Sequence, residues 1–267
     1  MTLLFALACS HTPTPSPTPV VPGEPDPLWV SAYASGEVLL LDPETGDLLR
    51  SFPGVEGAQA IRFGPDGAVY AVAEERGAVL RLEDGVFQPF LVGLDKPTGL
   101  VIGEEAFYVG DYAADAVVAF ERDGSLRGTV ASGIDGPDAG LLLVDGQLVV
   151  PAFEADAVVR VDPDSGAVAP WLEVPSPRVV QVSDGTTWLT SWRGDGVRTV
   201  TGDTTEPFLT FERPSGLYVD EDGIFVTSDQ RPSIRVFSRT GEPLRTFRLG
   251  ELGYEGLTFL TRGPAPE

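Results

Sequence analysis

Hydrophobic and polar positions alternate in short runs from Leu28 onward, and the same order of runs recurs six times. Each repeat is anchored by a valine or isoleucine that has an apolar residue three positions later. The six anchors, spaced 37 to 41 residues apart, are Val38, Val79, Val117, Val158, Val197 and Ile234. Each repeat contains four short runs. The first lies upstream of a turn, the second lies between that turn and the anchor, the third contains the anchor, and the fourth follows the next turn. Four short strands in about 40 residues are typical of one β-propeller blade.

Turn residues separate these runs throughout the repeats. The segments 42–46 (DPETG) and 162–166 (DPDSG) follow anchor runs, and Asp-Gly pairs such as Asp145-Gly146 lie between the first and second runs. Asp accepts hydrogen bonds from the backbone two or three residues further on, and Gly adopts positive φ without strain. We therefore interpret the spaced acids of these segments as hairpin turns rather than as cation-binding loops.

The two ends of the repeat region predict a closed ring. The pattern begins at Leu28 with a run of the second type, and it ends at 256–260 (GLTFL) with a run of the first type. Together these halves complete one blade, which removes the open sheet edges. The sequence thus predicts an all-β, six-bladed propeller of four-stranded antiparallel blades over residues 28–263, closed by the C-terminal strand in the N-terminal blade. Residues 264–267 form a tail.

The N-terminal segment has a different composition. Residues 3–8 are apolar and run into Ala8-Cys9, which resembles the lipobox of bacterial lipoproteins. The resemblance implies a signal remnant over residues 1–9 with lipid on Cys9, followed by a Pro/Thr-rich tether over residues 10–27. Because Ser10 rather than Asp follows Cys9, the expected location is the outer membrane of a bacterial cell envelope. The alternative is a frayed terminus with an incidental thiol.

The net charge and the missing residue types argue against some classes of function. The chain has 40 acidic and 18 basic residues, a net charge of -22, which argues against nucleic-acid binding. We expect a monomer that meets the membrane through its lipid anchor only. There is one Cys, the one His (His11) lies in the tether, the one Lys (Lys96) is expected to be solvated, and Asn is absent. Few groups therefore remain for nucleophilic catalysis.

Two sets of residues are expected to ring one end of the central channel. The first set precedes the innermost strands: Gln59, Thr98, Asp138, Arg178, Ser215 and Glu255. The second set lies five residues before the anchors: Tyr33, Glu74, Tyr112, Phe153, Trp192 and Asp229, with Asp111 one residue earlier in its blade. We predict that these residues bind a ligand at the channel mouth. The alternatives are a solvated polar ring and packing between blades.

The repeat resembles the NHL and gluconolactonase-like six-bladed propellers, most clearly at 213–229 (RPSGLYVDEDGIFVTSD). The gluconolactonase resemblance implies a divalent metal such as Ca²⁺, held by Glu255 of the Glu-Gly pair and by Asp138. Ser215 and Arg178 depart from that family's ligand set. A neighbouring resemblance, to streptogramin lyase, implies a catalytic histidine that residues 28–263 lack.

These observations favour a lipid-anchored, non-catalytic propeller that binds a small molecule or a protein partner and requires no cofactor. A metal-dependent lactone hydrolase is the first alternative. A structural scaffold with an idle channel is the second.

Overall fold

The computed structural model describes residues 25–194 and 196–266. Cys9, the signal remnant and most of the tether over residues 10–27 lie outside the described residues, so the lipid anchor stays a prediction. Within the described ranges, no helix has the length and apolar character needed to cross a bilayer.

The described residues form 24 strands and two short 3-10 helices. The first twelve strands are β1 (Leu28–Ala32), β2 (Glu37–Leu41), β3 (Leu48–Pro53), β4 (Ala58–Phe63), β5 (Val69–Ala73), β6 (Ala78–Glu83), β7 (Val86–Val92), β8 (Pro97–Ile102), β9 (Ala106–Asp111), β10 (Ala116–Glu121), β11 (Leu126–Ser132) and β12 (Leu142–Val144). The next twelve are β13 (Gln147–Ala152), β14 (Ala157–Val161), β15 (Val168–Glu173), β16 (Pro177–Ser183), β17 (Thr186–Ser191), β18 (Gly196–Thr201), β19 (Thr204–Thr210), β20 (Pro214–Asp220), β21 (Gly223–Ser228), β22 (Arg231–Phe237), β23 (Pro243–Arg248) and β24 (Leu257–Arg262). The 3-10 helices are η1 (Glu74–Arg76) and η2 (Leu249–Leu252).

The strands form six antiparallel four-stranded sheets arranged as a ring, and this confirms the predicted propeller. Blade I has the order β24-β1-β2-β3, and blades II to VI each take four consecutive strands from β4 onward. The innermost strand of blade I is therefore the last strand of the chain. Its register with β1 pairs Trp29 with Thr261 and Val30 with Leu260. This pairing is the predicted closure, and it leaves each inner strand facing the central channel.

The predicted hairpin turns are confirmed in blades I and IV. In the first, Oδ1 of Asp42 accepts hydrogen bonds from the backbone N–H groups of Glu44 and Thr45, and Gly46 has φ of 77°. In blade IV, Asp162 accepts the equivalent bonds from residues 164 and 165. These aspartates therefore stabilise turns by satisfying backbone donors.

Trp29 stabilises blade I, the blade that closes the ring. It is fully buried, stacks on Phe52 with 5.4 Å between ring centroids, and meets Phe63 edge-on at 5.8 Å. Its indole N–H lies 3.4 Å from the Gly263 carbonyl oxygen and 3.2 Å from that of Pro264. One side chain thus ties the segment after β24 to the core of blade I.

Blade IV departs from regular geometry where it meets blade V, and this brings two channel residues together. Its inner strand β12 has three residues, and the chain before it crosses toward β16. The N–H of Gly140 donates to the Arg178 carbonyl at 2.9 Å, and Gly140 forms a parallel bridge with Val179. A Cβ on Gly140 would lie 2.3 Å from the Cα of Val179, so only glycine permits this approach. The contact places Asp138 beside Arg178.

Candidate functional site

The second predicted set occupies one equivalent position in all six blades. Each member is the residue that directly follows the second strand of its blade, namely β1, β5, β9, β13, β17 and β21. The six residues are Tyr33, Glu74, Tyr112, Phe153, Trp192 and Asp229. Because each second strand ends where the neighbouring inner strand begins, these side chains surround one end of the channel, which we call the mouth.

The structure places five members of the first predicted set at one equivalent position and the sixth member elsewhere. Gln59, Thr98, Asp138, Arg178 and Ser215 each follow the first residue that pairs with the second strand. In blade I that first paired residue is Leu257, opposite Ala32, so Thr258 takes the equivalent place. The bonding agrees, because Thr258 Oγ1 donates to the next blade's Ala58 carbonyl, as Thr98 does to that of Pro137. Glu255 lies three residues earlier, in the loop after η2.

Two adjoining cavities open at the mouth. The larger mouth cavity, of about 540 Å³, is lined by Tyr33, Ala34, Gln59, Glu74, Arg178, Asp229, Gln230, Pro232, Glu255, Gly256 and Thr258. The smaller mouth cavity, of about 210 Å³, is lined by Gln59, Glu74, Lys96, Thr98, Tyr112, Asp138, Phe153, Arg178, Trp192 and Asp229. Gln59, Glu74, Arg178 and Asp229 line both. Glu255 is thus a wall residue of the larger cavity despite its place outside the inner ring.

Two predicted site residues line neither cavity. Asp111 is 3% exposed, and its carboxylate accepts hydrogen bonds from the backbone N–H groups of Asp95 and Lys96, both at 2.8 Å. These bonds stabilise the loop before β8. Ser215 is fully buried, donates to the Thr258 carbonyl at 3.1 Å and accepts a bond from Arg178 at 2.7 Å. Both residues therefore stabilise the structure around the mouth by hydrogen bonds, without lining either cavity.

Arg178 links three blades at the mouth. Its Nε lies 3.0 Å from Asp138 Oδ2 in blade IV, and its Nη1 lies 2.7 Å from Ser215 Oγ and 3.3 Å from Asp229 Oδ2 in blade VI. Burial on its own would lower the pKa of Arg178, but the charges of Asp138 and Asp229 outweigh it and raise the pKa above its ordinary value. Arg178 therefore forms a buried ion pair with Asp138, and the guanidinium is held charged.

Glu74 is the centre of a second network, on the opposite wall. Its Oε2 accepts the Gln59 amide N–H at 2.7 Å, and its Oε1 accepts the Tyr33 hydroxyl at 3.3 Å. Lys96 Nζ approaches the same carboxylate at 4.0 Å from the side of the smaller cavity. The Gln59 side chain is buried, yet its Oε1 accepts no hydrogen bond from the described residues. A buried carbonyl oxygen without a donor is uncommon in folded proteins.

Replacement of Tyr33 by phenylalanine is expected to flatten the alkaline part of the stability profile. Burial, and then the charge of Glu74, raises the pKa of Tyr33 to about 12. The folded chain keeps a proton that the unfolded chain releases near pH ~10. The resulting stability is complete below pH ~10 and is lost as the pH rises through about 12. Melting temperatures measured from pH ~8 to ~12 should fall more steeply for the wild type, and parallel curves would contradict this.

Aromatic side chains cover three neighbouring blades of the mouth. The ring centroids of Tyr112 and Phe153 lie 6.5 Å apart, and those of Phe153 and Trp192 lie 5.9 Å apart. Arginine groups approach this arc, with Arg193 5.6 Å from the Phe153 ring and Arg213 4.6 Å from the Trp192 ring. The mouth therefore has a mainly aromatic part over blades III to V, and a part over blades VI, I and II that carries three carboxylates and the ring of Tyr33.

The two carboxylates predicted to hold a metal do not form a pair of free ligands. Asp138 accepts the Ala139 N–H through Oδ1 at 2.6 Å and Arg178 Nε through Oδ2 at 3.0 Å, so both oxygens are engaged. Among the described residues, no group of three or more His, Cys, Asp or Glu side chains is close enough to hold a metal ion. A Ca²⁺ site built on Glu255 and Asp138 does not fit this geometry.

Sequence reasoning missed the roles of one mouth residue, Lys96, and of one residue deeper in the channel, Arg62. Lys96 was expected to be solvated, and it does keep 58% of its side chain exposed, but it also lines the smaller cavity beside Glu74. Arg62, deeper in the channel, donates to the carbonyl oxygens of Ile61 at 2.9 Å and of Leu141, two blades away, at 3.1 Å. Burial lowers the pKa of Arg62 to about 10. No local signal identifies either role, because each depends on contacts between blades.

Comparisons with known proteins agree on the fold. No protein-family model matches the chain, and no curated protein matches it. Among solved structures, a chain from the crystal structure of a nidogen/laminin complex superimposes with a TM-score of 0.75 at 13% identity, covering 88% of this chain and 97% of that one. A selenomethionine-substituted virginiamycin B lyase from Staphylococcus aureus gives 0.62 at 15% identity, covering 82% and 80%.

A second structure of the Staphylococcus aureus lyase also superimposes on this chain. It is a catalytically inactive variant, with a histidine replaced by alanine, solved with quinupristin, and it superimposes with a TM-score of 0.58 at 16% identity. The alignment covers 74% of this chain and 72% of that one. At such identities the likeness shows the propeller fold alone. The single histidine of this chain, His11, lies outside the described residues. Because no family model matches, the NHL and gluconolactonase-like resemblance stays a prediction about family.

Proposed function

We propose that this chain is a lipid-anchored, non-catalytic propeller that binds a ligand or a protein partner at the channel mouth. The observation that carries the proposal is the larger mouth cavity of about 540 Å³, into which polar side chains from several blades converge. Its volume falls within the range of ligand sites in proteins, about 300–1,000 Å³. Solvated ring residues without a ligand would not need a shared, partly buried hydrogen-bond network.

The hydroxyl groups at the mouth support a binding role over a catalytic one. Thr98 Oγ1 donates to the Pro137 carbonyl at 2.6 Å, and Thr258 Oγ1 donates to the Ala58 carbonyl at 2.7 Å. A nucleophilic hydroxyl must instead transfer its proton to a neighbouring base. Tyr33 does donate to a carboxylate, that of Glu74, but burial and the charge of Glu74 raise the pKa of Tyr33 to about 12 and so oppose transfer of its proton.

The proposed lipid anchor implies that this binding site lies close to a membrane surface. Lipid on Cys9 and an extended tether from residue 11 to residue 27 would hold the propeller roughly 50 Å from a membrane surface, at ~3.1 Å per residue. At that distance the mouth is clear of the lipid headgroups. A protein of the bacterial envelope that captures a ligand or contacts a partner fits this arrangement.

Photo-crosslinking in cells tests the binding role. A photoreactive phenylalanine analogue placed at Gln230, an exposed residue of the larger cavity wall, is expected to yield covalent adducts on illumination. The same analogue at Glu206, exposed on the outermost strand β19, is the control and should yield none above background. Adding Trp192→Ala to the chain that carries the analogue at position 230 should reduce the adduct several-fold, because it removes one aromatic wall of the adjoining cavity.

Two outcomes would contradict the proposal. Equal crosslinking from positions 230 and 206 would indicate random collisions rather than a site. Absence of adducts from position 230, together with no small molecule retained by the purified full-length chain in native mass spectrometry, would leave the scaffold alternative as the better description.

A further inference from the structure

We infer that the larger mouth cavity binds an organic cation, a guanidinium or a primary ammonium group, carried by a small molecule or by a protein side chain. The inference rests on the proposed function, since it names the chemical class of the group bound at the same mouth. It is drawn from the balance of hydrogen-bond donors and acceptors in the cavity wall.

The charged groups of the described wall leave negative charge uncompensated. Glu74, Asp229 and Glu255 contribute three carboxylates, and Arg178 contributes one cation. Arg178 is already engaged with Asp229 and with buried Asp138. Glu255 forms no ion pair with any other described residue. The cation nearest to Glu74 is Lys96, which is 58% exposed and lies 4.0 Å away on the side of the smaller cavity, whereas the Glu74 side chain is 14% exposed and only partly screened by solvent.

Gln59 adds an acceptor that lacks a donor. Its Nε2 donates to Glu74 at 2.7 Å, which fixes the orientation of the amide, because the opposite orientation would place two oxygens together. The remaining oxygen, Oε1, is buried and accepts no hydrogen bond within the described chain. Gln59 is 4% exposed and lines both mouth cavities. Because this oxygen is itself buried, an N–H donor of a ligand would satisfy it after a small rotation of the Gln59 side chain toward the cavity.

A cationic head group meets all of these requirements together. Guanidinium and ammonium groups carry several N–H donors and no acceptor, and their bonds to carboxylates are stronger than bonds between neutral groups. The ring of Tyr33 provides an aromatic wall in the same cavity, a second favourable surface for an organic cation. A neutral or anionic head group would leave Glu255 unpaired and would leave Glu74 with only the distant, largely exposed Lys96 as a cationic partner. The net charge of -22 further attracts cations toward the protein.

Calorimetric titration of the full-length, chelator-treated protein tests this inference. The probes are agmatine, which carries a guanidinium and an ammonium group, cadaverine, which carries two ammonium groups, and the tripeptide Gly-Arg-Gly with amidated and acetylated ends. The matched negative control is the same tripeptide with citrulline in place of arginine, which keeps the shape and loses the charge. Binding of agmatine or cadaverine alone would identify a small-molecule source. Binding of the arginine peptide alone, or more tightly, would identify a protein side chain.

Three glutamine variants separate a site from general charge attraction. Glu74→Gln and Glu255→Gln are each expected to raise the dissociation constant about tenfold, which corresponds to the loss of one charge-assisted hydrogen bond. Glu206→Gln makes the same charge change on the outermost strand β19 and should leave the constant unchanged. Circular dichroism melts of each variant confirm that the fold is retained.

The outcomes also distinguish this inference from the proposed function. If neutral or anionic compounds bind with dependence on Trp192 while the cationic probes do not, the organic-cation inference is overturned and the binding role stands. If Ca²⁺ alone binds and Glu255→Gln abolishes it, the inference is likewise overturned, in favour of a metal. If the three glutamine variants weaken cation binding equally, the binding is non-specific and the inference fails. Crosslinking at position 230 reports separately on the binding role.

Discussion

Substitution of Arg178 by methionine is expected to lower the free energy of unfolding by about 3–5 kcal/mol, because breaking a buried ion pair leaves a buried charge unpaired. Asp138 is 3% exposed and would keep only the Ala139 N–H as a donor. Ser215 and Asp229 would lose their shared partner as well. Urea unfolding followed by tryptophan fluorescence measures the change.

Two companion variants make the Arg178 result specific. Arg193→Met removes a mouth arginine whose side chain is 47% exposed and which pairs with Glu154 at 3.2 Å. Such exposed pairs contribute about 0–1 kcal/mol, so this variant should be nearly as stable as the wild type. Adding Asp138→Asn to Arg178→Met removes the unpaired charge and should recover part of the loss. If Arg178→Met were no more harmful than Arg193→Met, the linking role of Arg178 would be refuted.

Substitution of Trp29 by alanine is expected to cost about 3–5 kcal/mol in the free energy of unfolding, the usual cost of deleting a large buried aromatic side chain. Trp29 is fully buried between Phe52 and Phe63. The deletion would leave a cavity in blade I and remove the donor for the carbonyls of Gly263 and Pro264. Because these contacts fasten the closing blade, the loss should also expose the C-terminal segment to limited proteolysis.

The matched control for Trp29 is Trp192→Ala, which makes the same change at the mouth. Trp192 is partly exposed and lines the smaller cavity, so its loss leaves less buried space unfilled. Its destabilisation should be less than half of that for Trp29→Ala, while its effect on crosslinking at the mouth should be larger. Equal destabilisation by the two variants would show that Trp29 has no special role in closure.

The sequence by itself determined the propeller, the number of blades and the closure. Those features depend on local signals, namely apolar runs with a strand period and Asp and Gly at turns, which repeat every 37 to 41 residues. The residue after each second strand was also predictable in all six blades, since a fixed distance to the anchor sets it. Trp192 and Asp229, for example, occupy the same position in consecutive blades.

Only the tertiary structure decided the inner ring of blade I and the partners at the mouth. The Glu255-Gly256 pair matches the local pattern of other blades, but the register of β24 is set by pairing with β1 at the opposite end of the chain, and this places Thr258 in the ring. Likewise, Arg178 meets Asp138 and Asp229 because three blades converge there. Strand propensity and turn chemistry act between neighbours in sequence, whereas register at the closure and charge pairing across the channel depend on contacts between distant residues.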